Sequence, residues 1–230
     1  MTIDVVPEHK QKFPDTPHAM WVRGELDDFL HLPEGHRAEI IGGKIVVSPA
    51  PTIPHGGIIQ DISDALTMAR ASDPDFPWRP LQGADLSFLS AVEGYVPDLV
   101  VLDAGLLKEA RGAQMSKFSP DQIEMVVEVT SPNGPENDRP PTADRSPQKR
   151  ITKWTGYARA ELPYYLLVDR DPKLARTTLY TIPAQNPSAY LHEETWNFGE
   201  MIRLPDPFDI DIDTTDWKPW PDGPTPEEPV

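Results

Sequence analysis

The segment that most limits how this chain can fold is residues 123–132, which read Ile-Glu-Met-Val-Val-Glu-Val-Thr-Ser-Pro. A short run rich in β-branched residues that ends at a proline is typical of a buried strand. Glu128 lies inside this run between two valines, where a carboxylate is costly unless something pairs with it. The segment therefore predicts a central strand and an acidic group that needs a partner, for which a metal ion is one candidate.

A second apolar strand, over residues 95–102, precedes the first and carries Asp98 near its start. A helix over 146–160, opened by a serine followed by proline, and another apolar strand over 163–169 come after it. Strand, helix and strand in this order indicate a crossover unit within one sheet. We therefore expect an α/β fold (α+β) with a mixed central sheet flanked by helices.

Local patterns predict the remaining elements. Helices are expected at residues 21–32 and 53–71, where apolar residues recur at helical spacing. A β-hairpin is expected around the turn Gly42-Gly43. Further strands are predicted at residues 84–88, 177–182, 190–195 and 201–204, and irregular loops at 74–80, 103–121 and 131–147.

Composition limits the class of protein. With 230 residues the chain can build one sizeable core. We expect a flexible arm at 1–19, a single domain over 20–213 and an acidic, proline-rich, disordered tail at 214–230. The absence of cysteine excludes disulfides and thiolate metal sites. Neither a secretion signal nor an apolar run near the roughly 20 residues of a membrane span is visible, so a cytoplasmic protein is expected.

The residues that could carry chemistry are acids on or beside apolar strands. No phosphate-binding glycine loop, HExxH zinc helix or GxSxG elbow is present. Asp98 and Glu128 lie near the ends of neighbouring strands, and two carboxylates held close together repel each other unless a cation is present. Glu39, in the first arm of the hairpin, is a third acid among apolar neighbours. Oxygen ligands favour Mg²⁺ or Mn²⁺. Solvated acids at strand ends are the alternative.

A small basic cluster accompanies these acids. Lys149, Lys153 and Tyr157 repeat every four residues and would share one side of the helix, with Arg150 beside them. An ammonium close to a divalent cation could orient an attacking water and stabilise charge on phosphorus. An ordinary solvated helix face is the alternative. His55, in the first turn of the long helix, could donate to a phosphate or be a surface residue.

Four stretches of the sequence together resemble the Uma2 family (DUF820) of restriction-endonuclease-like proteins. They read AEIIGGKIVVSPAP (38–51) followed by His55, VPDLVV (96–101), VEVTSP (127–132) followed by NDR (137–139), and YARAELPYYLLVD (157–169). They occur in the expected order over roughly residues 20–205. The resemblance implies a branch of the PD-(D/E)XK nuclease superfamily, whose fold is a mixed central sheet flanked by helices.

The resemblance also implies roles for individual residues. Asp98 corresponds to the aspartate that follows proline, and Glu128 to the acid of the second half-motif. The superfamily's usual lysine, two residues after that acid, would fall at Thr130 and is missing. The family's lysine, four residues before the helix tyrosine, falls at Lys153. Because the preceding loop is longer than usual, Lys149 could compete for this role.

The activity implied is that of a metal-dependent endonuclease that hydrolyses nucleic-acid phosphodiesters. Asp98, Glu128 and Glu39 would hold Mg²⁺ or Mn²⁺, aided by the Val129 carbonyl, while Lys153 orients the attacking water. DNA is the expected substrate, and a homodimer is an open alternative. We predict that His55, Lys149, Arg150 and Tyr157 bind the substrate. The net charge of −16 argues against a broad nucleic-acid surface. A non-catalytic module that binds a protein or a structured nucleic acid therefore stays open, as does a hydrolase of another phosphate ester.

Overall fold

The computed structural model describes residues 13–141, 151–186 and 188–221 of the chain. The predictions for residues 1–12, 142–150 and 222–230, which include those for Lys149 and Arg150, lie outside this range. Five α-helices occur in the described part, namely α1 (Pro17–Val22), α2 (Leu26–Phe29), α3 (Ile53–Ser72), α4 (Ala104–Gly112) and α5 (Lys153–Arg159).

Thirteen strands occur in the same described ranges. They are β1 (Arg37–Ile41), β2 (Lys44–Ser48), β3 (Trp78–Leu81), β4 (Asp85–Phe88), β5 (Glu93–Tyr95), β6 (Leu99–Asp103), β7 (Lys117–Phe118), β8 (Met125–Val129), β9 (Tyr164–Asp169), β10 (Arg176–Ala184), β11 (Ala189–Asn197), β12 (Ile202–Leu204) and β13 (Ile210–Ile212). The smaller sheet has the order β2-β1-β5-β4-β7 and the larger sheet the order β11-β10-β9-β8-β6-β3, while β12 pairs with β13.

The larger sheet is mixed, because β8 and β9 run parallel while its other neighbouring strands run antiparallel. Helix α5 lies between β8 and β9 in the chain, which confirms the predicted strand-helix-strand unit and the predicted fold class. Strand β6 pairs with β8 so that Leu99 lies opposite Val127. Continuing this register by one residue places Asp98 opposite Glu128.

Alternate residues of the larger sheet point into two different cores. One core contains Val100, Val126 and Tyr165, and it extends to α5 and to the smaller sheet. The other core contains Leu99, Val127 and the helix α3, on the opposite face of the larger sheet. The near-continuous apolar sequence of β8 follows from this burial on both faces. Among the described residues, no helix has both the length and the apolar character that a membrane crossing requires.

Several predicted elements are confirmed and others are wrong. The hairpin β1–β2, the long helix α3 and the strands β4, β8, β9, β10, β11 and β12 were expected. The helix predicted at 21–32 is instead two short helices, because Gly24 adopts a φ of +73° between them. The strand predicted at 95–102 is two strands, β5 and β6, which belong to different sheets. Pro97 lies in the crossing between them, where its missing N–H is tolerated.

The helix predicted to start at residue 146 begins at Lys153 in the described part of the chain. Thr152 is extended and accepts a hydrogen bond from the Thr155 N–H, so it caps the helix there. Two segments predicted as loops contain regular structure: β3 begins in the first, and α4 lies within the second. Strand β3 contains Pro80, which is tolerated because β3 is an edge strand.

The ends of the predicted domain also differ from the structure. Helix α1 begins at Pro17, inside the segment predicted as a flexible arm. Residues 214–221, predicted as part of a disordered tail, pack on the body instead. Trp217 is buried, and its indole N–H donates to Asp61 on α3 at 2.9 Å. Thr214 is buried as well, and its hydroxyl donates to the Glu200 carbonyl at 2.7 Å. These contacts anchor the segment, although its prolines and acids suggest disorder.

Candidate active site

Glu128 is a buried carboxylate near the end of β8. It shares the face of Val126, with only 3% of its surface exposed. The Tyr157 hydroxyl donates to its Oε1 at 2.6 Å, and the Lys153 ammonium donates to its Oε2 at 3.1 Å. Burial raises the pKa of Glu128 well above its ordinary value, and although Lys153 lowers it, the nearby carboxylates add to the rise. The strand therefore holds an acid that is unstable in its charged form without a cation.

The ammonium of Lys153 supplies that positive charge at the centre of the site. Its Nζ lies 2.8 Å from Glu39 Oε1, 3.1 Å from Glu128 Oε1 and 3.7 Å from Asp138 Oδ1. Burial alone would lower the pKa of Lys153, but these carboxylates raise it well above the ordinary value. The lysine is therefore charged, and one ammonium is shared by three acids.

The position of α5 depends on a close contact at Gly156. A Cβ at this residue would lie only 2.7 Å from the Tyr95 ring, so a larger residue would push the helix away from β5. Lys153 and Tyr157 are four residues apart, and both therefore reach Glu128 from the same side of the helix. The glycine thus brings the lysine and the tyrosine within hydrogen-bonding distance of the acid.

Glu39 and Asp98 complete the acids that the sequence predicted. Glu39, on β1, accepts the Val96 N–H at 2.7 Å as well as the Lys153 ammonium. Because Lys153 also donates to Glu128 on β8, the lysine links the smaller sheet to the larger one. Asp98 accepts the Val129 N–H through Oδ2 at 2.7 Å. Its side chain is 24% exposed, more than those of the other acids around Lys153. Asp98 therefore marks the open side of the group.

Asp138 is a further acid of this group, which sequence reasoning did not identify as a site residue. It follows a 3₁₀ turn at Pro135–Asn137, and its side chain is 14% exposed. Burial raises its pKa to about 7, and Glu39 and Asp98 contribute to the rise while Lys153 opposes it. The prolines around it suggested a flexible loop. The only sequence signal was its place in the NDR motif of the resemblance.

Arg139, the next residue, anchors the same loop by ion pairs with two acids outside this group, Asp169 and Asp171. Its Nε donates to Asp169 Oδ2 at 2.6 Å, and its Nη2 donates to Asp169 Oδ1 at 2.7 Å and to Asp171 at 3.1 Å. We refer to Arg139, Asp169 and Asp171 as the arginine clamp. We refer to the group of Glu39, Asp98, Glu128, Asp138 and Lys153 as the acid–lysine centre. The clamp fixes the loop that presents Asp138 to the centre.

The other predicted site residues occupy different surroundings from those expected. His55 is not a surface residue: it is 7% exposed, and its Nε2 lies 3.0 Å from Asp98 Oδ1. Tyr157, predicted to bind substrate, is fully buried and instead orients the carboxylate of Glu128. The structure therefore brings together Glu39, Asp98, Glu128, Lys153 and His55.

The donor set of the centre suits a divalent cation. Carboxylate oxygens are the preferred ligands of Mg²⁺ and Mn²⁺, and the centre has four carboxylates for one lysine. Among the described residues, no three acidic or histidine side chains already stand in ligand geometry around one point. The Lys153 ammonium lies between two of these acids, 2.8 Å from Glu39 Oε1 and 3.1 Å from Glu128 Oε1. The residues fit the ion, provided that the lysine moves aside.

Comparison with known proteins identifies the family and the fold. The model of the Uma2 family, described as "Putative restriction endonuclease", matches residues 26–215. No curated protein matches the chain. A crystal structure from Anabaena variabilis ATCC 29413, described as a putative nuclease belonging to DUF820, is similar with a TM-score of 0.53 and 18% identity, over 83% of this chain and 95% of that chain. At this identity the structural likeness shows a shared fold, and the family match covers most of the sequence. The chain therefore belongs to the Uma2 family.

Proposed function

We propose that the protein is a divalent-metal-dependent endonuclease that hydrolyses phosphodiester bonds in DNA. One observation carries the proposal: a single buried ammonium, that of Lys153, lies 2.8 to 3.7 Å from the carboxylates of Glu39, Glu128 and Asp138. Asp98, a fourth acid, lies close enough to raise the pKa of Glu128. The family's description as a restriction endonuclease implies a nucleic acid as substrate. The proposal goes further than this description in naming DNA as the substrate and Mg²⁺ or Mn²⁺ as the ion.

The charge of the acid–lysine centre supports a cation-binding role. Buried carboxylates are costly in their charged form, and one ammonium cannot neutralise four of them. A purely structural cluster would gain by replacing one or more acids with neutral residues. Retaining all four acids makes sense if a second positive charge joins them during the reaction.

The residues divide into groups that hold the ion and groups that act on the substrate. Asp98, Glu128 and Glu39 would hold the cation, with Asp138 within reach. Such an ion supplies positive charge to the phosphate and makes water a stronger nucleophile. Lys153 would then donate hydrogen bonds to the attacking water and to the phosphate oxygens, which stabilises the charge that develops on phosphorus. Tyr157 keeps Glu128 oriented through its hydroxyl.

Substrate would approach from the side of Asp98, the most exposed acid of the centre. We propose that Lys149 and Arg150, which precede α5 in the sequence, contact the phosphate backbone. These are two positive charges in a chain whose net charge is −16. Binding should therefore be local and sensitive to salt, rather than spread over a broad basic surface. Pairing of two chains on one duplex would be compatible with this arrangement.

A non-catalytic binding module is the second candidate, and Lys153 is the observation that favours it. The lysine already pairs with Glu39 and Glu128, so the fold is not left with wholly unpaired acids when no metal is bound. The acidic net charge points the same way, because it weakens general affinity for nucleic acid. Metal binding separates the two candidates, since only the nuclease requires it.

A cleavage panel tests the proposal. Single- and double-stranded DNA and RNA would be incubated with the protein in Mn²⁺, Mg²⁺ or EDTA, beside Asp98→Ala, Glu128→Ala and the control Asp211→Ala. Asp211 is an exposed acid on β13, away from the centre. We expect metal-dependent cleavage of DNA by the wild type and the control, and none by the other two variants. Cleavage retained in both of those variants would refute the proposal.

A further inference from the structure

His55 has a buried imidazole nitrogen that lies at ion-pair distance from Asp98 but makes no hydrogen bond of good geometry with any residue in the described part of the chain. The residue is 7% exposed, and its Nε2 makes no hydrogen bond within the described part of the chain. Buried polar atoms in folded proteins nearly always have a partner, so an exception asks for an explanation. The nitrogen lies beside the acid–lysine centre, 3.0 Å from Asp98 Oδ1. We infer that His55 is a ligand of the catalytic cation through Nε2, which rests on the proposed function.

The helix that carries His55 holds the imidazole firmly in place. Helix α3 has 20 residues, and Ile58, Ile59 and Ile62 anchor its first half in the core beneath the larger sheet. His55 lies in the first turn, next to the strand end that carries Asp98. A ligand on a long, well-packed helix is positioned more accurately than one on a loop. The site therefore has one rigid nitrogen donor beside its oxygens.

The separation of the two atoms suits a shared ion. Adjacent ligands of an octahedral ion with bonds of about 2.1 Å lie about 3.0 Å apart. The distance from His55 Nε2 to Asp98 Oδ1 is 3.0 Å, although the pair does not form a hydrogen bond. A direct contact between the imidazole and a substrate phosphate is disfavoured, because Nε2 has almost no accessible surface. An ion held between the two side chains would use both atoms.

A nitrogen ligand changes which ion the site prefers. Mg²⁺ and Ca²⁺ favour oxygen ligands, whereas imidazole suits Mn²⁺ and the later transition metals better. We therefore expect the ratio of Mn²⁺ to Mg²⁺ affinity to fall when His55 is replaced by alanine. Loss of Mn²⁺ affinity should be at least about tenfold, because even the outer partners of metal ligands contribute that much.

Pulsed electron paramagnetic resonance on bound Mn²⁺ tests the ligand directly. The full chain, without a histidine tag, would be loaded with less than one Mn²⁺ per chain and examined for nitrogen coupling from a bound imidazole. His55→Ala and His192→Ala would be measured beside it, since His192 is an exposed histidine on β11. Circular dichroism and thermal melting would establish that both variants fold.

We expect nitrogen coupling in the wild type and in His192→Ala, and its loss in His55→Ala together with weaker Mn²⁺ binding. Tightly bound Mn²⁺ without nitrogen coupling in the wild type would overturn the inference while leaving the proposed function intact. Coupling that persists in His55→Ala would also overturn it, because another histidine would then be the ligand. Failure of the wild type to bind Mn²⁺ would overturn both.

Discussion

Asp138 and Arg139 are neighbours in the chain, yet they belong to two polar clusters that differ in their balance of positive and negative charge. In the arginine clamp, Asp169 accepts hydrogen bonds from the Arg139 Nε and Nη2, the Thr130 hydroxyl and the Asp171 N–H. In the acid–lysine centre, a single ammonium lies among three carboxylates at 2.8 to 3.7 Å. One cluster satisfies its acid with donors, and the other has more acid than its cation can neutralise.

This difference separates stability from function. A buried acid with several donors stabilises the fold and has no need of a further partner. A buried group with excess negative charge destabilises the fold until a cation binds, and it is therefore the expected place for a metal. Substitutions in the arginine clamp should therefore change mainly stability, and substitutions in the acid–lysine centre should change mainly activity.

The largest effect is expected when the charge of Glu128 is removed. Glu128→Gln keeps the hydrogen-bond acceptor for Tyr157 but removes a ligand, so the loss of several kcal/mol of transition-state stabilisation should lower the cleavage rate on the order of 10³-fold or more. The midpoint of thermal unfolding in EDTA should stay the same or rise, because a buried charge disappears. Cleavage assays and thermal melts would be run with Asp211→Asn as the control.

The opposite pattern is expected for Arg139→Ala. The change leaves Asp169, whose side chain is 5% exposed, without its main partner. Breaking such a pair should lower the free energy of unfolding by roughly 3 kcal/mol. Urea unfolding measures this loss, and Arg139→Lys, which keeps the charge but loses the two-point contact, should lie in between. A stability loss under about 0.5 kcal/mol, the range of ordinary surface substitutions, would contradict the assignment of the clamp.

Replacing Lys153 tests the contrast between the two clusters further, because it removes the ammonium from the acid–lysine centre. Lys153→Met should bind Mn²⁺ about tenfold more tightly, since the ion no longer competes with the ammonium. Cleavage should fall about 10²-fold or more, because the group that acts on water and phosphate is lost. The variant should melt at a lower temperature in EDTA and recover when Mn²⁺ is added. Weaker Mn²⁺ binding than in the wild type would show that Lys153 does not occupy the place of the ion.

The smallest effect concerns pH and comes from Asp138. Its pKa rises from the ordinary 3.8 to about 7 on folding, chiefly because of burial. Between these values the folded state holds a proton that the unfolded state has released, so the free energy of unfolding should fall as pH rises through this window. Asp138→Asn should flatten the fall. Urea unfolding in EDTA at several pH values measures it, and an unchanged slope in the variant would contradict the account.

The sequence was enough to predict the core of the larger sheet and most of the centre. The apolar run around Glu128 indicated a buried central strand, and the helix and strand predicted after it indicated a crossover unit within the same sheet. Glu39 and Lys153 were candidates from local patterns, but only the family resemblance gave them a role in one site, because nothing local shows that a hairpin residue and a helix residue meet. The contacts at Glu39 depend on how the two sheets pack, which no short segment encodes.

Asp138 and the buried position of His55 were missed for related reasons. Asp138 lies in a proline-rich loop, where local sequence suggests flexibility. Its place is fixed by the ion pair of the next residue, Arg139, with Asp169, which lies 30 residues after Arg139 in the chain. His55 follows Pro54 in the first turn of a helix, a position that is commonly exposed. It is buried because the helix start packs against the strand end that carries Asp98. Both features arise from contacts between distant segments.

Calorimetric titration with Mn²⁺ tests the central claim most directly, because it measures whether the acid–lysine centre binds a divalent cation. The wild type and Arg139→Lys should bind the ion, whereas Asp98→Asn and Glu128→Gln should lose binding while remaining folded. Absence of binding by the folded wild type, or equal binding by all four proteins, would contradict the account.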